Sequence, residues 1–109
     1  MEILMLQALE DVLKEYGLDT SFYCTDSHKI YSYDIVKDDD NWVLTIKERN
    51  KECNFIESTD LKFICYVLIN YVANMYGLDD NQELLITKSF EDNLLTLKYN
   101  KNKKLFMHM

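Results

Sequence analysis

The chain contains no proline and two glycines, Gly17 and Gly77. A phosphate-cradling loop needs several glycines, so a Walker A or a dinucleotide fingerprint is excluded. With no proline to interrupt them, helices and strands can run unbroken. The three cysteines, Cys24, Cys53 and Cys65, form no CxxC pair, and with only His28 and His108 beside them they make a poor zinc set. They are read as reduced thiols of a cytoplasmic protein. No apolar run approaches the ~18–20 residues that a membrane span needs. The start, Met1-Glu2, lacks the basic region of a signal peptide, so a soluble protein without a targeting segment is expected. There is no HExxH, no GxSxG and no Cys–His arrangement of a recognised spacing. The sequence therefore predicts neither an enzyme nor a cofactor.

What is present is a core and an excess of acid. In 109 residues, 48% are hydrophobic and 13% aromatic, which is enough for a single globular domain spanning 1–109. Nineteen acids face twelve bases, a formal charge of −7. Residues 1–57 hold thirteen acids and six bases, and residues 58–109 hold six of each, so the whole excess lies in the first half. Affinity for a phosphate backbone comes from Lys and Arg, so direct nucleic-acid binding is disfavoured. An acidic surface suits a basic protein partner, whose approach it accelerates. At the other end, Lys98 to Lys104 carries four lysines and no acid.

Apolar spacing organises the chain. Met5, Leu6, Leu9, Val12, Leu13 and Tyr16 predict a helix over 2–16, with Gly17 as its left-handed C-terminal residue. Ser21 to Cys24 reads as a short strand or an ordered loop. From Lys29 the period becomes two. Tyr31, Tyr33 and Ile35, then Trp42, Leu44 and Ile46, predict a hairpin whose tip is Asp38-Asp39-Asp40-Asn41. If Ile35, Leu44 and Ile46 face inward, Tyr31, Tyr33 and Trp42 follow them. The other face then shows Ser32, Asp34, Thr45 and Lys47. As a calcium loop the tip fails, because the sixth position is not Gly and the twelfth is Arg49. Glu52 to Glu57 predicts a third strand.

A second helix is expected from Ser58 or Thr59 to Tyr76, with Asp60 in its first turn. It is apolar around most of its circumference, leaving only Lys62, Tyr66, Asn70 and Asn74 as a polar strip. Such a helix is either sandwiched in the domain or forms a subunit interface. Strands are expected at 83–90, 94–99 and 104–109. Tyr16-Gly17-Leu18-Asp19 recurs as Tyr76-Gly77-Leu78-Asp79, and Asn41 to Lys47 resembles Asn93 to Lys98. These echoes predict an α+β domain of order αβββαβββ, with an antiparallel sheet, two helices packed on one face and a possible duplication of halves 1–57 and 58–109.

The segment from Tyr33 to Arg49, followed by Phe55-Ile56-Glu57-Ser58 and a helix, resembles the hairpin–strand–helix of bacterial toxin-immunity families, those of contact-dependent growth inhibition among them. The resemblance covers about residues 31–75. It implies an inhibitor that binds and neutralises a basic antibacterial toxin domain of nuclease type by protein–protein contact. Those families place a glycine in the first turn and this chain does not, so no binding residue carries over from the resemblance. From charge alone, the partner-facing residues are expected to be Asp26, Asp34, Asp38, Asp39, Asp40 and Glu48. Two other readings fit the same features: a phage-encoded anti-defence inhibitor of anti-CRISPR type, and an acidic binding module like a secretion chaperone. The last is expected to carry a further C-terminal helix, where this sequence reads as strand.

Overall fold

The computed structural model describes the backbone of residues 2–18, 21–24, 29–48 and 51–107, and the side chains of residues 2–18, 32–47 and 56–101. The element order is α1 (Glu2–Glu15), β1 (Ser21–Cys24), β2 (Lys29–Asp38), β3 (Asn41–Glu48), β4 (Lys51–Ser58), α2 (Leu61–Met75) and α3 (Asp80–Met107). The four strands form one antiparallel meander in the order β1-β2-β3-β4. The chain is therefore an α+β domain with an antiparallel sheet. Α register shift between Ile46 and Lys47 puts two residues of β4, Cys53 and its neighbour, where one would pair, and such bulges increase local twist.

The two Tyr-Gly-Leu-Asp echoes turn out to be one cap used twice. Gly17 and Gly77 both have φ +71°, the left-handed region that glycine enters without a Cβ penalty. The Leu18 N–H reaches the Leu13 carbonyl at 2.6 Å and the Gly17 N–H reaches that of Lys14 at 3.0 Å. The Leu78 N–H reaches Ala73 at 2.9 Å and the Gly77 N–H reaches Asn74 at 3.1 Å. Both are Schellman motifs, which satisfy carbonyls that a helix end leaves free.

At the start of α2, Asp60 is the N-cap itself and not a first-turn residue: its Oδ1 accepts from the N–H groups of Lys62 and Phe63 at 3.0 and 3.4 Å. The Ser58 hydroxyl oxygen accepts the Asp60 N–H at 3.1 Å. The cap expected at Ser58 or Thr59 thus moves to the next residue, whose carboxylate also suits the positive end of the helix.

The strands expected at 83–90 and 94–99, and from 104 as far as Met107, are replaced by one helix, α3, and four strands rather than three precede α2, so the order is αββββαα and not αβββαβββ. Asp79 and Gln82 start it with a capping box, in which the Asp79 Oδ1 accepts the Gln82 N–H at 2.8 Å and the Gln82 Oε1 accepts the Asp79 N–H at 2.9 Å. Its buried residues, Ile86, Phe90 and Leu94 with half-buried Leu97, recur at helical spacing and face the core. The resemblance of Asn93–Lys98 to Asn41–Lys47 therefore joins a helix to a strand.

α2 lies across β3 and β4, and α1 and α3 pack on α2 and on each other; Leu6, Leu9 and Glu10 of α1 line a cleft with Tyr33 and Ile35 of β2. Covered on both sides, α2 is the sandwiched helix that its apolar circumference required. Ile64, Cys65, Leu68, Ile69 and Val72 on it are all fully buried. Burial pushes the Cys65 thiol up to about 12. The polar strip of α2 becomes a seam with α3. Tyr66 donates a hydrogen bond to Glu91 and meets Phe90 edge-on at 6.0 Å, while the Asn70 amide donates to Glu83 at 2.6 Å. Burial, and then the bond to Glu91, raise the Tyr66 phenol above its usual value. Among the described residues no helix is long and apolar enough to cross a membrane.

Candidate functional site

The register of β2 against β3 sorts the hairpin into two faces. Tyr33 opposes Ile46 and Ile35 opposes Leu44, and these side chains pack under the helices. Trp42 is buried with them. The inward parity expected for Tyr33 and Trp42 is observed; the side chain of Tyr31 lies outside the described residues. The alternate residues pair as Ser32 with Lys47, Asp34 with Thr45, Val36 with Val43 and Asp38 with Asn41, and Val43 in turn opposes Glu57. This is the face away from the helices. Asp34, Val36 and Glu57 on it are exposed.

The tip is a two-residue loop, Asp39-Asp40, between the paired Asp38 and Asn41. Asp39 has φ +55°. Two-residue hairpin loops need such left-handed backbone because it matches the twist of the flanking strands. Aspartate tolerates that region better than most residues other than glycine. The acids that solvate the turn thus also permit its geometry.

Four of the six expected partner-facing residues come together here. Asp38, Asp39 and Asp40 are consecutive and exposed, and Asp34 lies on the same strand, about 13 Å from Asp38 along it. Among the described residues none of the four is paired with a cation. Asp26 lies outside the described residues. The side chain of Glu48 also lies outside them, and its strand position has the parity of Ile46 rather than of Thr45. Glu57, which the sequence did not single out, joins the acidic face through the pairing of β3 with β4. Only the register could reveal it, because nothing local to Glu57 marks which neighbour its strand takes.

The base of this tip is anchored to α1. The Trp42 indole N–H donates to the Glu2 carboxylate at 2.8 Å, and the Lys37 ammonium lies 3.5 Å from the other Glu2 oxygen. The same ammonium sits 5.6 Å from the centre of the Trp42 ring. The exposed ion pair adds little by itself. The indole bond to a carboxylate is the stronger element, since charge-assisted bonds contribute about 1.5–3 kcal/mol before any discount for solvent. The hairpin end is thereby held against the helix layer, and its carboxylates are displayed on fixed backbone. Such an array attracts cations over several ångströms and accepts hydrogen bonds from guanidinium or ammonium groups.

A second concavity lies at the opposite kind of surface. Where the ends of α1 and α2 meet the start of α3, Tyr16, Leu18, Tyr76, Leu78, Leu85 and Ile86 line a cavity of about 340 Å³. Both glycine caps contribute to it, and the Tyr16 hydroxyl bonds that of Ser89 at 3.1 Å. Among the described residues no group of three or more His, Cys, Asp or Glu could hold a metal ion. No protein-family model, curated protein or solved structure matches the chain.

Proposed function

We propose that the chain is an immunity-type inhibitor, a binding module that neutralises a basic, nuclease-type antibacterial toxin by occupying its cationic groove. The observation that carries this reading is the anchored acidic hairpin: Asp38, Asp39 and Asp40 at its tip, with Asp34 on the adjoining uncovered sheet face, exposed and unpaired among the described residues. A groove built to hold a polyanion presents Lys and Arg at close spacing. A run of carboxylates on rigid backbone meets that demand with little ordering cost. No chemistry is asked of the chain beyond this contact. The cytoplasm is where such an inhibitor would act.

The test replaces Asp38, Asp39 and Asp40 together by Asn and compares capture of host proteins by the two forms across salt from about 0.05 to 0.5 M. The expected result is a basic protein retained by the native form, released as salt rises, and bound with a slower association rate and a shallower salt slope by the variant. The native form then inhibits the activity of that protein at one-to-one stoichiometry. Equal capture by both forms at every salt concentration refutes the reading.

One observation favours a second reading. The C-terminal helix expected of a secretion-chaperone-like module, which the sequence reading lacked, is present as α3. A chaperone would hold an unfolded, non-toxic client. Inhibition of a folded, active partner decides against it.

A further inference from the structure

The long helix α3 has two apolar faces, and only one of them is used by the domain. Ile86, Phe90 and Leu94 are buried. Leu84, Leu95 and Tyr99 are 66%, 63% and 65% exposed. Leu84 and Leu95 are eleven residues apart, three turns of helix, and Tyr99 follows one turn later. Lys88 and Asp92, also exposed, fall in the gap between the leucines on the same side. This face points directly away from the buried stripe. It is separate from the acidic hairpin, because α3 packs chiefly on α1 and α2.

We infer that this face is the interface of a symmetric dimer in which α3 pairs antiparallel with α3 of a second copy. Two features point to a second copy and not to an unrelated protein. The first is charge. On this face Lys88 and Asp92 are exposed and of opposite sign, whereas Glu83 and Glu91 are engaged by Asn70 and Tyr66 in the seam with α2. The antiparallel arrangement lays Lys88 of each helix against Asp92 of the other; the parallel arrangement lays like on like.

The second feature is spacing. A two-fold axis near residues 89–90 places each Leu84 against Leu95 of the other copy. The same axis places each Lys88 against Asp92 of the other copy, and brings Tyr99 beside Asn81. Every residue of the face thus finds a complementary one under a single operation, which is what an isologous contact requires. From Asn81 to Tyr99 the face runs about 27 Å along a helix about 10 Å wide, so each copy covers roughly 300 Å², well below the size of a standard stable interface. The dimer is therefore weak and reversible.

The test is sedimentation velocity on the full chain from about 1 to 200 µM, a range that extends to weak association. The native protein is expected to pass from monomer to dimer. Leu84→Glu with Leu95→Glu should leave a monomer throughout, with an unchanged circular-dichroism spectrum because both sites are exposed. Lys88→Glu alone and Asp92→Lys alone should each weaken association about tenfold or more by setting like charges together. The two combined should return it to within a few-fold of native, which a merely sticky surface would not do. A native chain that stays monomeric over the whole range overturns the inference, and so does a dimer that the double charge exchange fails to restore.

Discussion

Replacing Phe90 by Ala tests the placement of α3 most directly. Phe90 is fully buried, sits at the centre of the helix stripe formed with Ile86 and Leu94, and meets the Tyr66 ring edge-on. Truncating a buried Phe costs about 3–5 kcal/mol, from lost transfer free energy and from the cavity left behind. Loss of the ring pair adds to the upper part of that range. A domain of 109 residues has a total stability of about 5–16 kcal/mol. One side chain therefore removes a large fraction of it, and the melting temperature should fall by at least ~12 °C.

The assay is urea unfolding at low micromolar concentration, followed by the fluorescence of Trp42, the single tryptophan. The midpoint should drop sharply with little change in slope. Leu95→Ala in the same assay should stay within about 0.5 kcal/mol of native, because Leu95 faces solvent in the monomer. In a strand the two residues would lie on opposite faces as well, but Ile86 and Phe90 would then share theirs with Leu84 and Lys88. Leu84→Ala separates the cases: it should be as mild as Leu95→Ala. If Leu84→Ala costs as much as Phe90→Ala, or if Phe90→Ala costs under ~1 kcal/mol, the helical placement is wrong.

Asp39→Gly should raise stability by about 0.5–1 kcal/mol, since glycine adopts φ +55° without steric cost; a lower urea midpoint would contradict the left-handed turn. Cys65 should resist thiol reagents in the native state and react on unfolding, as read by mass spectrometry of its peptide. With its pKa raised from 9.0 to about 12, the folded state holds the proton more tightly than the unfolded one. Its contribution is complete below pH ~9 and is lost as pH rises toward ~12, so stability should decline over that window. Tyr66, also raised, acts in the same direction, and a flat profile there would refute both.

Local rules sufficed where one face of an element is apolar and the other polar. α1 follows from its single stripe ended by Gly17, and the β2–β3 hairpin from strict alternation around an acidic turn. The acidic cluster was readable for the same reason, since three of its members are consecutive and the fourth shares their strand. α3 was not readable because it is apolar on opposite sides. Leu95-Thr96-Leu97-Lys98-Tyr99 alternates perfectly, yet Leu97 packs inward and its two apolar neighbours face solvent. Exposed residues on the back of the helix filled the gaps in the buried period and produced a false one. The missed signal was Asp79-x-x-Gln82, a capping box immediately after a glycine stop. A second was the absence of any glycine or proline between Leu78 and Met109, which leaves three strands without the usual turn residues.

The packing of α1 on α3 has a consequence for the chain as it is made. Each strand pairs with its sequence neighbour, so the sheet can assemble as it leaves the ribosome. α1, however, waits for α3, which emerges later; the Tyr16–Ser89 bond spans 73 positions. At about 5–20 residues per second, translation separates the two by roughly 4–15 s. During that interval α1 lacks the cover that α3 provides, and the growing polypeptide is exposed to premature association or to chaperones.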